Sequence, residues 1–408
     1  MMMTSKLTLT QEWDKTFPPS STVDHEKVTF ENGYGITLVA DLYKPKGDVP
    51  EGGYAAIAVS GPFGAVKEQA SGLYAQTMAE QGFLTIAFDP SFTGESAGEP
   101  RYTASPDINT EDFMSAVDYL VCRDDVNENR IGIIGICGWG GIALNAAAAD
   151  PRIKATVAST MYDITRITGN RFYDIDNSAE KRIATRKVLA AQRTADSKSG
   201  SHVRAGGVVN SLPDDAPQFV RDIYDYYKTP RGYHARSLNS NDGWNAVGTQ
   251  AYANTRFLHY IDEIENAVMI MHGEKAHSFY MARDAFEKIR EGVNPDNKVF
   301  IAIPDATRCD LYDGGPDHDR IPWDAVEEFF TSNLVWEGQK GREHSHAGKP
   351  SYAITARRAP SLCLASSHNS GTKPGSIYPP RLPGSIRFKV ERPDILIAQH
   401  DHDAISTN

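Results

Sequence analysis

Between residues 36 and 163 the chain alternates short β-branched runs with stretches of helical period. "ITLVADLYKP" (36–45) and "YAAIAVSGPFG" (54–64) read as strands closed by glycine or proline. "ASGLYAQTMAEQG" (70–82) places Leu73, Tyr74 and Met78 on one helical face and ends on Gly82. "FLTIAFDPSFTGES" (83–96) reads as a strand running into a turn. In "NTEDFMSAVDYLV" (109–121) Phe113, Val117, Leu120 and Val121 form one stripe, while Glu111 and Asp112 suit the positive end of a helix. "RIGIIGIC" (130–137) is apolar without alternation, as a central strand covered on both faces should be. The alanine-rich "GIALNAAAADP" predicts a helix that stops at Pro151, and "IKATVAST" (153–160) the next strand. Strands alternating with helices in this way predict a mostly parallel sheet with helices on both faces.

The rhythm breaks over residues 164–262, where charged helical material mixes with turn clusters such as "LNSNDGWN" and the tyrosine-dense "DIYDYYKTPRGYH" (222–234). This segment reads as an inserted helical lid, its tyrosines serving either the lid's own core or a ligand. The sheet then resumes with "AVMIMHGEKAHS" (267–278), a helix over 280–292, the strand "KVFIAIPDATR" (298–308) and a closing helix over 322–334 that begins at Pro322. The expected organisation is therefore sheet (1–163), lid (164–262), sheet (263–334) and a disordered tail (335–408) rich in Gly, Ser, Pro, Arg and His.

Composition narrows the function classes. A net charge of −11 without a basic cluster argues against nucleic acid as a partner. No stretch has the form of a signal peptide or reaches the apolar length of a membrane span, so a cytoplasmic protein without a membrane partner is expected. Cys122, Cys137, Cys309 and Cys363 lack paired spacing, which predicts free thiols and no metal site. Neither cofactor nor metal is called for, and self-association is left open.

The chemistry centres on "GICGWGG" (135–141). Strand, small residue, Cys137, Gly138 and then helix is the order of a nucleophile elbow, in which a strained turn lifts the reactive atom clear of the sheet. A thiol at a helix N-terminus is favoured as the thiolate, the form that attacks. The pattern ordinarily closes on glycine, and here Trp139 stands in that place. One oxyanion donor would be the amide of Gly138; the other would come from "SGPFG", where Pro62 has no N–H and Phe63 or Gly64 must supply it. The competing reading of Cys137 is a small buried core residue.

Together "SGPFGAVKEQ", "FDPSFTGES", "GICGWGG", "TPRGYH", "SLNSNDGWN", "HGEKAHS" and "DLYD" resemble the dienelactone-hydrolase-like α/β-hydrolases, and within them the branch of fungal polyketide transferases and thiohydrolases. The resemblance spans roughly residues 20–334 and implies an α/β-hydrolase fold with a Cys/acid/His triad acting on esters or thioesters. It also places the base just before "DLYD", where this chain has Arg308. A guanidinium has no acceptor lone pair and cannot shuttle a proton near neutrality. Other bases to consider are His318, in "GGPDHDR", and His272 or His277, beside the strand over 267–278. Glu274 is the expected acid, with Asp163 the alternative.

These observations predict a hydrolase or acyl transferase that takes thioester- or ester-linked apolar acyl groups, polyketide-like and free or carrier-protein-bound, through Cys137 with Phe63 and Gly138. Activity would be impaired by Arg308. Two alternatives remain: an inactive α/β-hydrolase-fold binding protein, and a small-lactone hydrolase of dienelactone type.

Overall fold

Ile131, Ile133, Ile134 and Ile136 are all fully buried, which is why "RIGIIGI" carries no polar alternation. They belong to β5 (Val126–Ile136), near the centre of an eight-stranded sheet. The computed structural model describes residues 7 and 9–335; beyond Val335, the tail expected to be disordered lies outside the described residues. The other sheet strands are β1 (Val23–Glu31), β2 (Thr37–Pro45), β3 (Tyr54–Ser60), β4 (Leu84–Phe88), β6 (Ile153–Ser159), β9 (Ala267–Gly273) and β10 (Lys298–Ile303). Their order is β1-β2-β4-β3-β5-β6-β9-β10. From β4 to β10 every neighbouring pair is parallel, while β2 runs antiparallel to both β1 and β4.

Helices α2 (Pro106–Val121) and α3 (Gly138–Ala149) pack against each other on β5 and β6. Helix α1 (Ala70–Glu80) covers β2, β3 and β4, and meets α9 (Trp323–Asn333) where Tyr74 and Trp323 cross edge to face at 4.8 Å. α7 (Phe279–Arg290) packs on β9 and β10. This is the doubly covered, mostly parallel sheet expected.

Two features differ from the sequence reading, the unanticipated β1 and the end of β9. β1 was not anticipated, because "VDHEKVTFE" is an edge strand with most of its side chains exposed and little apolar signal. The strand expected to run into a turn within 83–96 does so after Phe88. After it, the Asp89 carboxylate accepts from Lys67 N (2.8 Å) and Glu95 N (2.9 Å), folding the chain into a turn. β9 stops at Gly273, so His277 and Ser278 lie in the turn before α7 rather than in the strand.

Between β6 and β9 the chain leaves the sheet. It forms α4 (Ile164–Asn170), α5 (Ala179–Ser199), the two-residue ribbon β7 (Arg204–Ala205) with β8 (Trp244–Asn245), and α6 (Gln218–Lys228). Tyr226 and Tyr227 of α6 are buried and pack edge to face on Tyr312 in α8 (Asp310–Asp313), at 5.0 and 6.3 Å. Among the described residues no helix is long and apolar enough to cross a membrane.

Under the loop joining β3 to α1 lies a sealed set of charges. Lys67 Nζ contacts Glu68 (2.7 Å), Asp89 (2.8 Å) and Glu95 (2.6 Å), all four side chains being at most 3% exposed. Lys27 pairs with Glu68 and Glu95, and Arg236 reaches Glu68 at 2.7 Å and Asp14 at 2.8 Å. Glu68, Asp89 and Glu95 converge closely enough to bind a cation, and Lys67 supplies one. Burial alone would raise the Glu68 carboxyl; Lys67, Arg236 and Lys27 overcome it and hold that carboxyl well below the usual range.

Candidate active site

Cys137 follows the last residue of β5 and precedes the first of α3, with φ 59° and ψ −123°. A non-glycine residue in that region is strained, by about 1–3 kcal/mol, and stays there only when its surroundings demand it. Here the demand comes from three bonds. Cys137 N donates to Ser159 O, and its carbonyl accepts from Gly140 N and Tyr162 N, each at 2.9 Å. The turn closes so tightly that a Cβ on Gly135 would stand 2.0 Å from Trp139 O. Trp139, the departure from the usual motif, turns into the core against Phe88 (5.6 Å) and Phe113 (5.2 Å), anchoring α3 under the elbow.

Phe63 comes from the loop after β3, and a Cβ on Gly138 would lie 2.7 Å from its own. Gly138 must therefore be glycine for the two strand ends to meet. As the first residue of α3, Gly138 has no intrahelical acceptor for its N–H. The Phe63 loop is held from outside the sheet: Asn239 Nδ2 donates to Phe63 O (2.8 Å) and Ser237 Oγ to Gly64 O (3.0 Å). Lys67 fixes its far end through Asp89.

Cys137 opens on a cavity of about 130 Å³. Phe63 and Trp244, stacked on each other at 4.3 Å, form one part of its wall, and Phe172, Phe219, Val220 and Ile223 supply further apolar wall from the segment between β6 and β9. Arg308, in the loop between β10 and α8, lines the same cavity, its guanidinium over the Tyr162 ring at 5.2 Å. Its loop is clamped in two ways. Arg231 donates to Asp313 (2.7 and 2.8 Å) and to Cys309 O (3.3 Å), and Tyr74 donates to Leu311 O (2.7 Å).

Burial works against the Arg308 charge, yet a guanidinium does not give up its proton near neutrality and it stays protonated. Burial holds Tyr312 and Tyr162 neutral and pushes the Cys309 thiol up to about 12, so none of these three offers an anion. Among the described residues no acidic side chain forms an ion pair with Arg308.

The structure thus brings Cys137, Gly138, Phe63 and Arg308 together. The remaining expected residues go elsewhere. Glu274, the expected acid, is exposed outside the cavity lining, because β9 ends one residue before it and the chain turns outward. Asp163 caps α4, accepting from Thr165 Oγ1 (2.6 Å) and Arg166 N (2.9 Å). His318 is exposed, with its Nδ1 3.0 Å from Asp313 O. No Cys/acid/His relay is assembled from these residues.

Two histidines lie deeper. His272 is fully buried, with Nδ1 3.2 Å from Gly273 O and Nε2 3.2 Å from Ser278 Oγ. His277 lines the cavity, set among the rings of Phe219 (4.5 Å), Phe172 (5.3 Å) and Tyr162 (5.9 Å). Burial, reinforced by Arg308 and then His272, pushes it down to about 2, so it is a neutral imidazole and a weak base. The sequence placed it beside a strand end, and the turn between β9 and α7 brings it into the wall.

His272 is pushed down to about 4, chiefly by burial. An unfolded histidine titrates near 6.5, so between about pH 6.5 and 4 the unfolded chain binds a proton that the folded protein refuses. Stability is unaffected above that window and falls within it as pH drops, by roughly 3 kcal/mol from this residue. Urea denaturation from pH 7.5 to 4.5 should register the slope, and His272→Gln should reduce it by about 1.4 kcal/mol per pH unit. Identical slopes in the two proteins would remove His272 from the account.

An elbow at the tip of a central parallel strand, with a chain excursion walling the cavity above it, defines an α/β-hydrolase fold. The chain belongs to the S15 family, described as X-Pro dipeptidyl-peptidase, whose model matches residues 34–301. The uncharacterized protein PA2218 of Pseudomonas aeruginosa is 51% identical over 332 residues, 81% of this chain and 86% of that one. Its crystal structure superposes with a TM-score of 0.76, covering 81% of this chain and 99% of that one. YcjY of Escherichia coli (strain K12), also uncharacterized, is 33% identical over 296 residues, 71% of this chain and 93% of its own. More distant is the polyketide transferase GrgF of Penicillium sp, 30% identical over 139 residues, which are 34% of this chain and 46% of that one. The GrgF crystal structure, an α/β hydrolase 18% identical overall, shares the fold with a TM-score of 0.61 over 77% of this chain and 100% of its own.

Proposed function

We propose that the chain is an acyl-processing enzyme in which Cys137 attacks a thioester or activated ester of an apolar acyl group. The observation that carries this reading is the forced conformation of Cys137 in the lining of an apolar cavity, next to Gly138 and with Phe63 packed against that glycine. Distant kinship with a polyketide transferase supports it. Residues 164–262 would serve as the lid, their aromatic side chains keeping water from the acyl group.

In this reading the Cys137 thiolate bonds to the acyl carbon while Gly138 N–H and Phe63 N–H receive the charge that builds on oxygen. The carbon–sulfur bond to the leaving thiol then breaks, and the acyl group stays on Cys137. Arg308 balances the thiolate's charge and moves no proton. Release to water requires a base, which Arg308 is not and His277, pushed down to about 2, serves poorly. An acceptor arriving as a thiolate needs none, so transfer between thiols is favoured over hydrolysis. The second reading, a binding protein without turnover, draws on the same Arg308 and on the exposed Glu274.

Intact-mass measurement separates the two. After incubation with a butyryl thioester the wild-type chain should gain one butyryl group or release thiol continuously, and Cys137→Ala should do neither. Unmodified wild-type protein with no thiol released would leave only the binding reading. A preference for small lactones in the same assay would favour the dienelactone-type alternative.

A further inference from the structure

Four side chains of the cavity each bear a sealed polar atom with no hydrogen-bond partner in the protein: Arg308 Nε, Tyr227 Oη, Tyr312 Oη and His277 Nε2. Tyr227 and Tyr312 are each only 1% exposed. Buried polar groups are nearly always bonded, and leaving one unmade is costly, so four on one cavity call for a ligand that completes them. Asn239, whose amide donates to the Phe63 carbonyl, faces the Tyr227 oxygen only as a donor, which leaves that hydroxyl's own hydrogen to give.

Their chemistry is one-sided. Arg308 is a permanent cation with a planar fork of donors, and both hydroxyls are neutral and free to donate. The complement of such a group is an anion with two oxygens in a plane. We propose that Arg308, Tyr227 and Tyr312 form a carboxylate subsite beside Cys137, and that the acyl chain handled there, apolar along its methylenes, ends in a carboxylate, as in a short dicarboxylic half-thioester or half-ester. This rests on the reading of Cys137 as the nucleophile. The thioester carbon would meet Cys137 while the free carboxylate is held by the Arg308 fork, and the methylenes between them would lie on Phe63 and Trp244. A cavity of about 130 Å³ suits so small a group, being well under the roughly 300–1,000 Å³ of pockets for drug-sized ligands. Arg308 thereby acquires a role in the position where a base was expected.

Binding is measured first, on Cys137→Ala, so that no turnover is involved. Monomethyl succinate should bind about 10- to 100-fold more tightly than dimethyl succinate, the range of a charge-assisted bond. The preference should disappear when Arg308→Gln is added and weaken with Tyr312→Phe, which removes only the hydroxyl. Equal binding of the two esters to Cys137→Ala overturns the subsite. Turnover is measured next, on the wild type, with succinyl and butyryl thioesters of N-acetylcysteamine. The succinyl compound should be preferred at least 10-fold in kcat/KM, and Arg308→Gln should bring the ratio near one. If Arg308 serves only the thiolate, both substrates slow equally and the ratio is unchanged, which also overturns the proposal. Acylation of Cys137 without a carboxylate preference defeats the subsite alone; a preference on Cys137→Ala without any acylation defeats the nucleophile alone.

Discussion

Replacing Cys137 with alanine lowers kcat/KM for an acyl thioester by about 10³-fold or more, with the far-ultraviolet circular dichroism unchanged. In enzymes with a complete relay the loss on removing the nucleophile is larger. Here a lower starting rate is expected, since Glu274, Asp163 and His318 do not line the cavity and Arg308 stands where the base was expected. What alanine leaves is the oxyanion pair and the apolar walls, which position a substrate without bonding to it. The fold should tolerate the change, because the three backbone bonds that hold residue 137 do not involve the thiol. A variant as fast as the wild type would exclude covalent chemistry at this position.

Lys67→Met destabilises the protein by about 3–5 kcal/mol, the cost of leaving buried charges without their partner. The side chain of methionine fills similar space, so the loss is electrostatic rather than a cavity. Glu68 and Glu95 would keep Lys27 and Arg236 as ion-pair partners, while Asp89 would lose its own. The effect carries a pH signature whose sign follows from the carboxyls. In the wild type Glu95 is held at about 2, because Lys67 and Lys27 outweigh burial. Its contribution is therefore present above about pH 4.5 and lost as pH falls toward 2. Without Lys67 the carboxyls rise and must be protonated to remain buried, so the gap between the two proteins widens from pH 5 to pH 8. Guanidinium denaturation at both pH values measures it. A constant gap would mean that Lys67 acts through packing alone. Because Lys67 also ties the Phe63 loop to Asp89, kcat should fall in the variant even where it remains folded.

The tight turn at Cys137 and Gly138 and the strand that carries it were legible because they are local. A glycine-flanked residue between an apolar strand and an alanine-rich helix has few ways to fold, and its neighbours in sequence are its neighbours in space. Whether Glu274 or Asp163 enters the cavity was not legible. Glu274 and Asp163 both follow sheet strands at plausible intervals, and whether either enters the cavity depends on the residue at which its strand ends. β9 stops at Gly273 and turns Glu274 outward, while Asp163 spends its oxygens on the first turn of α4. β1 escaped notice for a related reason: an exposed edge strand has no apolar face to mark it.

By itself, the sequence determined the doubly covered parallel sheet, the position of Cys137 at the tip of its fifth strand and the presence of Arg308 where a histidine was expected. These follow from hydrophobic period and from the steric demands of a tight turn, which act over a few residues. Only the tertiary structure decided that His277 belongs to the cavity wall and that Tyr227, from α6, meets Tyr312, from α8, beside Arg308. Those residues lie far apart along the chain. Their meeting is set by how the segment between β6 and β9 packs over the sheet, a choice made by aromatic burial across many contacts and recorded in no short stretch of sequence.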